Sequence, residues 1–215
     1  MSIRLNIGCG QTPTKGWRNY DNSWSIRLAR VPILPNVMAK LGFISKPQQE
    51  FISLAKNANI EWADVTKHIP ENDQSVGVIY SSHMLEHLER GDAISFLKEA
   101  RRVLKKGGII RIAVPDIKYL VENYLRDGDA DNFIEKTLLT RKKAKTLFEK
   151  IRYFVTGDRN HQWMYDGDSL CRLLSTVGFQ KPRVVEAGTT IIAESGELDL
   201  GERALESVVV ETINP

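Results

Sequence analysis

A chain of 215 residues with 42% hydrophobic and 27% charged side chains carries enough apolar material for one core, and nothing in its length demands a second domain. That balance excludes a disordered segment, and a net charge of +3 with no basic, aromatic-interleaved stripe excludes a nucleic-acid footprint. No run approaches the roughly 18 apolar residues of a membrane span, and the start MSIRLNIGCG lacks a secretory pattern, so a cytoplasmic protein is expected.

In chain order, RLNI at residues 4–7 is a short apolar run stopped by Gly-Cys-Gly, the pattern of a buried strand entering a tight turn. Further strands are expected at 17–20, ending at Asp21, at 61–63, closing at Asp64, and at 76–80 within SVGVIYSS. Residues 91–108 place Ala93, Leu97, Ala100 and Leu104 at helical spacing, with Asp92 positioned to cap the start and Gly107 to close the end. A fifth strand, IIRIAV at 109–114, ends at Pro115. A strand, helix, strand unit crosses over right-handed and leaves its strands parallel, so the expected architecture is α/β, a doubly wound sheet with helices on both faces. Helices at 116–127 and 168–177, each stopped by glycine, precede two strand-like runs, RVVEAG and SVVVETI. Cys9 and Cys171 belong to no C-x-x-C pair and read as reduced, buried small hydrophobes.

The whole chain, 1–215, reads as one domain with cover insertions at about 22–59 and 128–167. From Asn22 to Gln49 no acidic residue occurs, while apolar residues accumulate among Arg27, Arg30, Lys40 and Lys46; residues 136–152 form a second basic amphipathic stretch. Either these are solvated faces covering a site, or they dock on an anionic inner membrane.

Gly8, Cys9 and Gly10, Asp21, Asp64, Ser81 to His83, and Pro115 with Asp116 all fall at expected strand ends, so they share one rim, where open parallel sheets bind ligands. Glycines admit close backbone approach, and a carboxylate can accept two ribose hydroxyls. A dinucleotide fingerprint is missing, because Gly10 is followed by QTPTKGW and Asp21 arrives only eleven residues after Gly10. A nucleoside without pyrophosphate fits better.

LNIGCG, Asp21, ADV at 63–65, IYSSHMLEHL and LKEARRVLKKGGIIRIAVPD together resemble the class I S-adenosylmethionine-dependent methyltransferases. The G-W-x-N-x-D step (Gly16, Trp17, Asn19, Asp21) and the late H-x-W-M-Y-D segment (His161 to Asp166) are similar to the small bacterial type 11 branch linked to surface-polysaccharide biosynthesis. The resemblance implies a Rossmann-like sheet of about seven strands with an antiparallel C-terminal edge, S-adenosyl-L-methionine as cofactor, and O-methylation of a saccharide or glycan precursor. It further implies that Gly8 and Gly10, with Cys9 between them, meet the methionine and ribose portions and that Asp21 takes the ribose hydroxyls. Asp64 and the Val65 backbone would hold the adenine edge, and Ser81 and His83 the methionine carboxylate or acceptor. The first helix of that fold has little room between Gly10 and Trp17. For a base, His83 and His161 lead, since histidine titrates near neutrality.

Two other functions compete. H-x-x-E-H (His83, Glu86, His87) could bind catalytic zinc, but third ligands are diffuse and His83 follows a strand directly, so no metal is expected. Glu86 and His87 then serve to orient and cap the following helical turn. A domain that binds the cofactor without catalysis, as a regulatory or assembly module, is the other alternative.

Overall fold

The computed structural model describes residues 2–140, 160–201 and 203–215. Its strands are β1 (Ile3–Ile7), β2 (Arg18–Asp21), β3 (Glu61–Trp62), β4 (Val76–Ser82), β5 (Leu104–Pro115), β6 (Gln180–Val185) and β7 (Ser207–Ile213). They form one seven-stranded sheet in the order β3-β2-β1-β4-β5-β7-β6. The first five are parallel; β7 runs antiparallel to both β5 and β6. This is the expected doubly wound, mostly parallel sheet with an antiparallel edge.

Leu5, Ile7, Ile79, Ile110, Ile112 and Val114 of the central strands are fully buried, which is why those strands read as continuous apolar runs rather than alternating ones. Two helices share this core: α4 (Arg90–Val103), through Phe96, Leu97, Ala100 and Val103, and α7 (Gly167–Val177), through Leu170, Leu173 and Leu174. Asp166 and Ser169 form a capping box that starts α7, and Gly178, at φ 98°, ends it. A second cluster joins Val78 and Tyr80 of β4 to Trp17, Ile192 and Leu198 from connecting segments.

The charged residues inside β5 and β7 explain each other. Arg111 and Glu211 are cross-strand partners, both almost wholly buried, with a guanidinium nitrogen 2.6 Å from a carboxylate oxygen. Glu211 also accepts from the Thr190 hydroxyl and the Ile191 amide, and the Arg111 guanidinium donates to the Thr189 and Leu200 carbonyls, although its buried Nε has no partner among the described residues.

Some boundaries differ from expectation. β5 begins at Leu104, not Ile109, because its pairing with β4 steps from Val76–Leu104 to Val78–Ile109 and throws residues 105–108 into a bulge. Gly107, at φ 75°, lies in that bulge rather than closing the preceding helix. α4 starts three residues earlier than an Asp92 cap implies, with Glu89 as N-cap, leaving Asp92 in the first turn, where its charge favours the helix dipole. Between β1 and β2 there is no helix; Pro13 lies between two turns and Gly16 within the second, and the segment is stitched by Asn6 Nδ2 to Thr14 Oγ1 at 3.0 Å and Thr14 N–H to Asn19 Oδ1 at 2.8 Å.

The stretch between β2 and β3 holds three helices, α1 (Trp24–Ala29), α2 (Leu34–Lys40) and α3 (Lys46–Asn57). Helices α5 (Ile117–Asp127) and α6 (Ala130–Thr137) follow β5. The basic stretch at 136–152 lies mostly outside the described residues. No described helix is long and apolar enough to cross a membrane.

Candidate active site

Strand order reverses between β1 and β4, and a cavity of about 700 Å³ opens beyond their carboxyl ends. That volume suits a ligand of nucleoside-plus-amino-acid size. Gly8 and Gly10 form its floor, Asp21 to Ser23 one wall, His83, Met84 and His87 another, and Ser45, Gln48 and Phe51 of the α3 region lie across it.

The glycine turn is fixed by backbone bonds: the Gly8 and Cys9 amides both donate to the Tyr20 carbonyl, at 2.8 and 3.2 Å. Both glycines have positive φ, 68° at Gly8 and 49° at Gly10. A Cβ at Gly8 would collide with the Met84 side chain, whereas one at Gly10 would meet nothing within 4 Å. Gly8 therefore makes room for protein and Gly10 leaves room for a ligand.

Asp21 terminates β2 with each carboxylate oxygen taking one backbone bond, from Gly10 at 3.0 Å and Ser23 at 2.7 Å. Burial pushes its carboxyl above the ordinary range, while those two N–H bonds pull it back. Each oxygen keeps acceptor capacity beside the cavity, as a ribose diol requires.

His83 also lines the cavity. It sits at φ 50°, its amide bonded to the Ala113 carbonyl of β5. Its Nε2 lies 3.1 Å from Ser207 Oγ, and its Nδ1 lies 3.4 Å from the Arg203 guanidinium and 3.3 Å from Glu86.

Four other expected site residues are placed differently. Cys9 belongs to a buried apolar cluster with Ile26, Ala55 and Ile60 and does not line the cavity, and burial drives its thiol far up, so it is inert. The Asp64 carboxylate opposes its desolvation with bonds from Lys67, at 2.8 Å, and Thr66, at 2.7 Å, which hold it below its ordinary range. It does not line the cavity, although Val65 and Thr66 do. Ser81 is fully buried within β4, its hydroxyl partnerless among the described residues. His161 is buried behind His87, with ring centroids 5.1 Å apart, and burial lowers its pKa. Neither Ser81 nor His161 lines the cavity.

Sequence reasoning missed Ser23, Gln48, Phe51, Met84, His87 and Asn160 as cavity residues. A signal existed for Gln48. Its side chain accepts from the Ser45 amide in a capping box readable as S-x-x-Q, and its buried Nε2 has no partner among the described residues. Glu86 and His87 form a single 3₁₀ turn, and neither side chain caps α4.

The family described as a methyltransferase domain matches residues 24–184. The chain belongs to this methyltransferase family. Solved structures share the methyltransferase's fold. One, an S-adenosylmethionine-dependent methyltransferase from Methanosarcina mazei, is 17% identical at TM-score 0.54, with 99% of this chain and 92% of that one covered. Another, from Thermotoga maritima and described as a possible histamine N-methyltransferase, is 16% identical at TM-score 0.52, with 100% and 83% covered. A third, from Mesorhizobium loti, is 16% identical at TM-score 0.51, with 98% and 90% covered. No curated protein matches the sequence. The methyltransferase is thus an enzyme whose cofactor is S-adenosylmethionine.

Proposed function

We propose that the 700 Å³ cavity is the cofactor site, and that the methyltransferase methylates an oxygen of a saccharide or glycan precursor. The observation that carries the cofactor half is the Gly10–Asp21 contact, which sets a carboxylate with spare acceptors beside a backbone turn open to a ligand. Saccharide specificity rests on the sequence's likeness to the type 11 branch.

In this reading Gly8 and Gly10 admit the methionine and ribose portions, Asp21 binds the ribose hydroxyls, and Val65 and Thr66 border the base. The Asp64 carboxylate, bonded to Lys67 and Thr66, holds that turn instead of touching the ligand. Residues 22–59 act as a cover, since Gln48 and Phe51 reach the cavity from α3.

S-adenosylmethionine supplies a methyl already activated on a sulfonium, which leaves the protein to align an acceptor and exclude water. Alignment alone can contribute roughly 7–11 kcal/mol. A sugar hydroxyl is a poor nucleophile, and His83 is the residue placed to take its proton. Its ring lines the cavity, and Ser207 lies within hydrogen-bond distance of it. His161 lies behind His87 and off the cavity, so the base role falls to His83.

Calorimetry with the cofactor and its demethylated product, followed by methyl transfer to a panel of glycosides and amines, tests both halves. Turnover on glycosides that His83→Ala removes, with cofactor binding intact, is the expected result. Cofactor binding with no turnover on any acceptor would favour a non-catalytic module, and transfer to amines alone would discard the saccharide reading.

A further inference from the structure

Glu86 is 1% exposed, and neither carboxylate oxygen has a hydrogen-bond donor among the described residues. An ionised carboxylate buried without a partner is costly enough to call for an explanation. Its chargeable neighbours within 4.0 Å, among the described residues, are His83 and His87. The nearby Arg90 guanidinium lies over the Trp163 and Tyr165 rings instead.

The tautomer of His87 sharpens the problem. Its Nδ1 is 3.1 Å from the Asn160 carbonyl, which can only accept, so Nδ1 carries the hydrogen. In the neutral ring Nε2 then has a lone pair, and this atom is the one 3.9 Å from Glu86 Oε1. Two acceptors face each other with no proton between them. An imidazole held by a carbonyl at one nitrogen, with its other nitrogen directed at a carboxylate, has the arrangement of a metal ligand and its supporting contact.

His161 completes the group. The amides of Gln162 and Trp163 both donate to the Glu86 carbonyl, at 2.7 and 3.2 Å, and clamp this segment against the 3₁₀ turn. The clamp brings His161 to 7% exposure with its ring on His87. One ligand atom each from Glu86, His87 and His161 lie within 4.8 Å of one another.

We propose that Glu86, His87 and His161 bind a divalent transition-metal ion of the zinc and cobalt class. Two imidazoles and one carboxylate suit borderline ions and leave a position open. Metal bonds of about 2.1 Å place ligand atoms roughly 3–3.5 Å apart, so the three side chains draw inward on loading. His87 also lines the cavity, which sets the ion beside the proposed cofactor site. The site departs from the metal-free expectation and also from the H-x-x-E-H pairing. His83 approaches Glu86 through Nδ1 at 3.3 Å but shares that nitrogen with Arg203 and its Nε2 with Ser207, and it stands outside the group; the third ligand comes from 75 residues further along the chain, where no spacing rule would find it.

The test uses the full chain, with any affinity tag removed and residual metal stripped by chelator, and neither cofactor nor acceptor present. Calorimetry with Zn²⁺ and visible spectroscopy with Co²⁺ should show one ion per chain in a nitrogen- and oxygen-ligated site. Glu86→Gln, His87→Gln and His161→Gln should each weaken binding by more than about tenfold, while His68→Gln, at a distant exposed histidine, should not. His87 is partly exposed, so His87→Gln keeps the fold even where the buried variants do not. Absence of stoichiometric binding, or affinity within about twofold of wild type in folded His87→Gln, overturns the proposal. Neither result bears on methyl transfer, which is measured separately.

Discussion

The Gly10 amide donates to the Asp21 carboxylate across 3.0 Å, tying the turn after β1 to the end of β2. The proposed ribose site and the glycine turn are therefore one unit, and Asp21→Asn should damage ligand binding more than folding. Hydrogen bonds to a charged group contribute about 1.5–3 kcal/mol each, so cofactor affinity should fall by at least about tenfold in calorimetry, while thermal stability should fall only by the one backbone N–H, Gly10 or Ser23, that the amide nitrogen cannot accept from. Because burial raises the Asp21 carboxyl, protonation on acidification begins above the ordinary carboxylate range, and wild-type affinity should weaken there first. Unchanged affinity in the variant would remove Asp21 from the site.

The two glycines should fail differently. Gly8→Ala combines a strained positive φ with a collision against Met84, so it should lower the unfolding midpoint as well as cofactor affinity. Gly10→Ala carries the φ cost of about 1 kcal/mol but meets no protein atom. It should fold and lose cofactor. Equal loss of stability in both variants would contradict the distinction.

Much of this geometry was legible because strand ends announce themselves: an apolar run stopped by Gly8 or Asp21 needs no knowledge of the rest of the chain. Parallel order followed from the crossover rule, and the missing first helix from Pro13 and Gly16. What local pattern could not show was side-chain direction at the rim. Cys9, Asp64 and Ser81 stand at the expected ends, yet Cys9 joins an apolar cluster, while Asp64 turns into its own turn and Ser81 into the sheet. The junction of His161 with His87 was also invisible, since it depends on a clamp between the 3₁₀ turn and a segment far along the chain. The bulge at 105–108 has the sequence of a helix end, because Lys-Lys-Gly-Gly suits either.

Helix α2 buries no residue and leaves Ile33, Leu34, Val37 and Leu41 exposed, at 73%, 41%, 44% and 63%, with Lys40 in its last turn. If this face docks on an anionic bilayer, full-length protein should sediment with vesicles containing phosphatidylserine and not with neutral ones. Each basic residue near the surface adds about 1 kcal/mol. Ile33→Ser with Leu41→Ser should abolish sedimentation while leaving cofactor affinity intact. Sedimentation indifferent to lipid charge would leave α2 as a cover alone.

Glu99 supplies the acid limb of stability. Its carboxylate takes two bonds from Arg102, at 2.8 and 2.7 Å, and the Ile69 amide at 3.0 Å, and its pKa falls from 4.5 to about 2. The folded value lies below the unfolded one. The contribution, about 1–2 kcal/mol for a pair this accessible, is therefore present above the unfolded pKa and lost as pH falls through 4.5 toward 2. Denaturant titrations should show Glu99→Gln less stable than wild type at neutral pH and converging with it in acid; a constant difference across that window would refute the linkage.

Arg111 and Glu211 join the deepest charges of the described structure to the reach of His83. Their pairing fixes the β5–β7 register in which Pro115 lies opposite Ser207, and that register puts Ser207 Oγ 3.1 Å from His83 Nε2. Arg111→Met leaves Glu211 with its Thr190 and Ile191 donors but no cation, and breaking a buried pair in this way costs about 3–5 kcal/mol. Adding Glu211→Gln removes the stranded charge; its one oxygen can accept from the Ile191 amide, and its amide nitrogen can donate to the Thr190 hydroxyl in place of the second carboxylate oxygen. Denaturation of the double variant should recover part of that loss, a coupling of about 1–3 kcal/mol. If the two losses merely add, the charges act independently, and the β5–β7 register must be held by the backbone ladder and apolar packing instead.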